Sequence, residues 1–182
     1  MKKLLIALPL VLATLAFAGV VESVAHVNRA VIRSVEISLD ERLSRLWPDT
    51  PMLLTSRTRG LYLDGYGAVF TLEMNTASDG VGLMTTTITP QKKIQVKQTK
   101  IERMPQLQKA LSLALVDAAA SLDPVPLDEQ VVIEVDLLRY SWEDGAGYPA
   151  EVLVQSTRRK LLDVKRANGA GLEAAVHVTE RN

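Results

Sequence analysis

Arg59-Gly60-Leu61-Tyr62-Leu63-Asp64-Gly65-Tyr66-Gly67-Ala68-Val69-Phe70 reads as two strands with a turn between them. An Asp-Gly pair between apolar runs is a strong hairpin signal, because glycine supplies the positive φ a tight turn needs. The strands extend outward over residues 53–63 and 66–75. Ala68, Phe70, Leu72 and Met74 fall on one face, and Val69, Thr71 and Glu73 on the other. Gly60 and Gly67 flank the turn and mark a bulge or a close approach of another group.

Working outward, residues 130–140 form the clearest further strand. Val131, Ile133, Val135 and Leu137 share one face, while Glu134 and Asp136 leave the other half wet. Residues 150–157 read as a strand antiparallel to it, after the turn Glu143-Asp144-Gly145-Ala146-Gly147. A short helix over 158–167 stops at Asn168-Gly169, and residues 172–178 form a weak terminal element. Residues 76–89, rich in threonine and glycine, predict a mobile loop. Thr89-Pro90 resembles an N-cap followed by proline at the first helical position. A helical stripe then runs through Ile94, Ile101, Met104, Leu107, Leu111, Leu115 and Leu122, with Pro105 expected to kink or split it. Upstream, residues 19–47 form an N-terminal helical arm whose stripe is Val24, Val27, Val31, Val35, Leu39, Leu43 and Leu46. The expected fold class is α+β, with residues 48–182 as a single domain. It comprises an antiparallel sheet of about four strands with one long kinked helix on a face, and the arm covers the other face.

The chain has 182 residues and a formal charge of zero, with 21 basic and 21 acidic side chains. That balance argues against a general nucleic-acid binder. The absence of cysteine excludes disulfides, thiolate metal sites and a cysteine nucleophile, and two histidines exclude a histidine-rich metal centre. Lys2 and Lys3, the apolar run over 4–13 and Ala16-Phe17-Ala18 form an export signal over residues 1–18, with cleavage expected before Gly19. The product is placed in the periplasm or cell envelope. Cleavage removes both lysines and leaves a charge of −2. The competing reading is an uncleaved anchor, which would bring membrane contact, since the uncharged run reaches the borderline length for spanning a bilayer.

The hairpin and its surroundings carry a resemblance. The pattern Arg-Gly-x-Tyr-Leu-x-Gly-Tyr-Gly-x-Val-Phe over 59–70, a Met-Pro-Gln-Leu-Gln-Lys-Ala-Leu helix and a strand ending Leu-Arg-Tyr resemble a group of exported bacterial proteins without assigned activity. The likeness covers roughly residues 40–162 and implies a shared hairpin, with no catalytic residue.

Chemistry-bearing candidates are few. Gly65-Tyr66-Gly67 starts a dinucleotide fingerprint, but Phe70 replaces the third glycine and a strand follows where a helix is required. Tyr62, Asp64 and Tyr66 at the hairpin tip, with Trp142 in the later turn, are candidate binding residues, because rigid aromatic side chains give contact area at little entropic cost. Asp64, Glu73, Glu143 and Asp144 could act as paired acids or hold a hard cation if the two turns met. His26 and His177 have no partner serine in an elbow-like setting. Lys92, Lys93, Lys97, Lys100 and Arg103 form a basic run on the long helix, best read as a solvated face. Trp47 reads as a core plug. No cofactor is implied. The composite expectation is a non-enzymatic envelope protein that binds a protein partner or self-associates through the arm and hairpin. The alternative is a hydrolase or divalent-metal enzyme using Asp64 with Glu143 or Asp144.

Overall fold

The computed structural model describes residues 27–48, 53–78, 88–144 and 146–182. The segment expected to be an export signal, its expected cleavage site, His26, the first part of the arm and most of the predicted mobile loop lie outside the described residues. The elements run α1 (Arg29–Ser44), β1 (Leu53–Leu54), β2 (Arg59–Leu63), β3 (Gly67–Asn75), α2 (Pro90–Ser121), β4 (Gln130–Leu137), β5 (Glu151–Thr157), α3 (Arg158–Arg166), α4 (Leu172–Ala175) and β6 (His177–Arg181). No helix among the described residues is long and apolar enough to cross a membrane.

The architecture is α+β, with a corrected sheet. It has six strands in place of about four. Short β1 and β2 lie along the same edge of β3, and β4, β5 and β6 follow on the other side. β3 and β4 are parallel over eight residue pairs, from Gly67↔Gln130 to Met74↔Leu137, while every other pairing is antiparallel. The expectation of a purely antiparallel sheet fails because α2 is a crossover. It returns the chain from the end of β3 to the start of β4, as parallel neighbours require. The weak terminal element resolves into α4 and β6.

Helix α2 starts as its sequence dictates. The Thr89 side chain accepts a hydrogen bond from the Lys92 amide, and Pro90 occupies the first turn. Pro105 does not split it, and the helix runs unbroken through that position, 32 residues in all. Pro105 and Ile101 are exposed, so water can serve the Ile101 carbonyl that loses its amide partner.

Helix-facing strand positions alternate as predicted. Phe70, Met74, Ile133, Val152 and Val154 are fully buried against Leu107, Leu111, Leu115 and Leu161 of the helices. Thr71, Glu73, Glu134 and Leu153 occupy the opposite face and are only partly buried. Burial and the neighbouring carboxylate of Glu151 raise the Glu134 carboxyl above the ordinary range. The arm does not cover that face. Its stripe of Ile32, Val35, Leu39 and Leu43 is buried in the same core as Phe70, which makes α1 part of the main domain.

Helix α1 also seals one edge of the sheet. It runs antiparallel to β2, and its carboxylates take the strand's outward amides. Glu36 Oε1 accepts from Gly60 N at 2.7 Å, and Asp40 Oδ1 accepts from Thr58 N at 2.9 Å. Arg29 Nη1 donates to the Gly60 carbonyl at 2.7 Å. Gly60 must be glycine here, because a Cβ would lie 2.6 Å from Ile32 and from the Phe70 ring.

Candidate functional site

At the hairpin tip the loop has three residues where the sequence predicted two, since Leu63 pairs with Gly67. Tyr66 N donates to Leu63 O at 3.0 Å, which puts Asp64 and Gly65 at the turn's centre, and Gly65 has φ +75°. A type II turn reserves that second central position for glycine. Glu129, from the α2–β4 loop, accepts from the Gly65 amide at 3.1 Å and from the Tyr62 hydroxyl at 3.2 Å. Burial, reinforced by the Glu129 carboxylate, pushes the Tyr62 hydroxyl up to about 12. Tyr62 is therefore tied inward. Asp64 is exposed, and Tyr66 is 45% exposed.

The second candidate group stands at the other end of the sheet. β3 and β4 are parallel, so the hairpin precedes one end of the pair and Trp142, Glu143 and Asp144 follow the other. At about 3.3 Å per residue the paired stretch spans roughly 23 Å. Asp64 does not meet Glu143 or Asp144, and Tyr62, Asp64 and Tyr66 do not share a surface with Trp142. Glu73 points to the helix-poor face. Among the described residues no group of three or more acidic or histidine side chains could hold a metal ion. The paired-acid arrangement therefore does not form.

Around Glu143 the structure instead builds a buried ion pair. Lys100 is 1% exposed and Glu143 4%, with Lys100 Nζ 2.9 Å from Glu143 Oε1. The ammonium also donates to Leu138 O at 2.8 Å and lies 4.6 Å from the Tyr140 ring centre and 5.2 Å from that of Tyr148. Glu143 Oε2 accepts from the Tyr140 amide at 3.1 Å. Tyr148 shares a hydrogen bond with Thr76 at 2.9 Å, and burial pushes its hydroxyl up to about 12. The predicted solvated basic face is corrected at two positions. Lys100 is buried as described, and Arg103 is buried beside the Trp47 ring and donates to the Thr76 carbonyl. Trp47 is the core plug expected, with its Nε1 donating to Gln106 at 2.8 Å. Trp142 stacks on Tyr140 with centroids 5.3 Å apart, and Lys93 sits over its ring. Lys97 pairs with Asp144 at 2.7 Å and holds that carboxyl below its usual range. These groups pin the β4–β5 loop to α2.

The main concavity lies elsewhere. A cleft of about 760 Å³ separates Pro105, Lys109 and Ser112 of α2 from Leu172, Val176 and Val178 beside the free edge of the sheet. A second hollow of about 350 Å³ continues it past Pro105 toward Ile101, Tyr148 and Glu180. A hydrogen bond from Gln108 to Glu180 crosses between the two. The apolar lining comes from Leu172, Ala174, Val176 and Val178, while α2 contributes Gln108, Lys109 and Ser112 beside Pro105, a mixed composition that suits a recognition surface. Sequence reasoning missed this site. The available signal was the α2 stripe itself. Ile101, which lines the second hollow, continues the core pattern yet is 38% exposed. His177, on β6, is exposed. No protein-family model, no curated protein and no solved structure matches the chain.

Proposed function

We propose that this protein is an exported, non-catalytic binding module that recognises a protein partner in the cell envelope. The observation that carries the reading is the cleft between α2 and the β6 edge, a long concavity whose apolar wall of Leu172, Val176 and Val178 faces Gln108, Lys109 and Ser112. Lys2, Lys3 and the Ala16-Phe17-Ala18 pattern support export, as does the resemblance over residues 59–70.

The test is site-specific photo-crosslinking in the native envelope. A photoreactive residue at Lys109, on the cleft wall, is expected to trap one defined protein, whereas one at exposed Glu41 on α1 is not. Absence of an adduct at Lys109, or the same adducts at both positions, would overturn the reading. Sequencing the mature N-terminus checks the export step, with Gly19 the expected first residue.

A further inference from the structure

We infer that the partner is held as an added β-strand: an extended segment pairs with the outer edge of β6 and sends alternate side chains into the cleft beside α2. The inference rests on the binding-module reading and specifies its mode. The first support is the contrast between the two edges. Beside β2 the protein uses Glu36, Asp40 and Arg29 to occupy the Gly60 amide, the Thr58 amide just before the strand and the Gly60 carbonyl. At β6, last in the strand order, no described residue performs that service. Sheet edges left open are templates for pairing with another chain.

The second support is geometric. The Leu137 amide bonds the Ala150 carbonyl and the Arg158 amide bonds the Glu129 carbonyl, so Val152 and Val154 between them serve β4, while Glu151, Leu153 and Gln155 serve β6. On β6 the ladder therefore uses His177, Thr179 and Arg181, and the backbone groups of Val178 and Glu180 point away from the sheet. The same two residues turn their side chains toward the cleft walls. A residue paired with either one would place its own side chain on the cleft side, because paired residues share a face. Its neighbours would fall beside His177, Thr179 and Arg181.

The third support weighs against a second copy as the occupant, since the register centred on Val178, which sets valine against valine, overlaps only residues 177–179 of each β6, the Val176 amide being bonded to the Leu172 carbonyl. Antiparallel pairing of β6 with itself about Thr179 sets His177 against Arg181 and Val178 against Glu180. A shift by one pair centred on Glu180 sets two glutamates together. The edge instead suits a foreign strand with apolar side chains toward the cleft and uncharged polar ones on the opposite face, beside His177, Thr179 and an Arg181 already paired with Glu151 at 2.7 Å.

The experiment uses a random dodecapeptide display library selected on the full mature protein. Selected peptides are expected to carry apolar residues at alternate positions. N-methylation scanned along one such peptide should weaken binding roughly tenfold or more at every second residue and little between, since only alternate amides face β6. Val178→Pro, which removes an outward amide, should abolish binding, while Val178→Ala changes it by less than about threefold. The scan leaves the protein untouched, so it decides the matter even if Val178→Pro unfolds. Binding indifferent to all N-methylations overturns strand addition, as does a dimer of this chain dissociated by Val178→Pro. Failure to select any peptide while Lys109 still crosslinks a protein overturns strand addition alone. Failure of both overturns the binding-module reading as well.

Discussion

Glu36 sits on a helix but completes a strand. Burial by itself would raise its carboxyl, but the Gly60 amide and the guanidinium groups of Arg33 and Arg29 outweigh that cost and hold it below the ordinary value of 4.5. A lowered folded value means that the contribution is present above 4.5 and is lost as the pH falls through the lower folded value. Glu36→Gln keeps an acceptor for Gly60 and removes only the charge. Arg29 and Arg33 are more than half exposed, so the expected loss at neutral pH is modest, about 1 kcal/mol. That loss should shrink toward zero in acid, and urea unfolding curves at neutral and strongly acidic pH measure it. An equal penalty at both would remove the charge from the account. Lys100 and Glu143 obey the complementary rule, because each keeps the other's buried charge compensated.

At the scale of elements, two glycines separate turn chemistry from packing. Gly65 has φ +75°, and a Cβ there would stand in open space with no atom within 4 Å. Gly67 has φ +134°, and a Cβ there would meet Gln130 O at 1.9 Å. Gly65→Ala should therefore cost about 1 kcal/mol, the price of a left-handed backbone alone. Gly67→Ala also blocks the first β3–β4 pair and should cost more than about 3 kcal/mol or prevent folding. Chemical denaturation of both variants decides the point, and equal losses would contradict it. Much of this level was legible beforehand. The hairpin, α2 with its Thr89 cap, β4, β5 and α3 follow local period and punctuation. The parallel pairing was not legible, because a strand, a loop and a helix read alike whether the next strand joins the same sheet in one direction or the other.

For the molecule as a whole, the arm is structural. Ile32, Val35, Leu39 and Leu43 are buried in the common core, and a fully buried aliphatic side chain contributes about 1.5–3 kcal/mol. Four of them approach the net stability of a typical domain, roughly 5–15 kcal/mol. A chain lacking residues 27–47 is therefore expected to lose cooperative thermal unfolding, as followed by circular dichroism. A folded, monomeric remainder would return α1 to the role of a separable contact surface. Its removal would also expose the β2 edge and leave the sheet open on both sides.

By itself the amino-acid sequence determined the α+β class, the places of the hairpin and long helix, and the absence of cysteine chemistry, because period, turn residues and composition are local properties. The candidate site was largely illegible. Tyr62, Asp64 and Tyr66 do gather at one turn, but their separation from Trp142, Glu143 and Asp144 depends on the direction of β4. The burial of Lys100, the sealing of β2 by Glu36 and Asp40, and the cleft beside β6 were decided only in the tertiary structure. Each depends on residues distant in sequence. Their meeting follows from how the crossover and the helices pack, which no local pattern encodes.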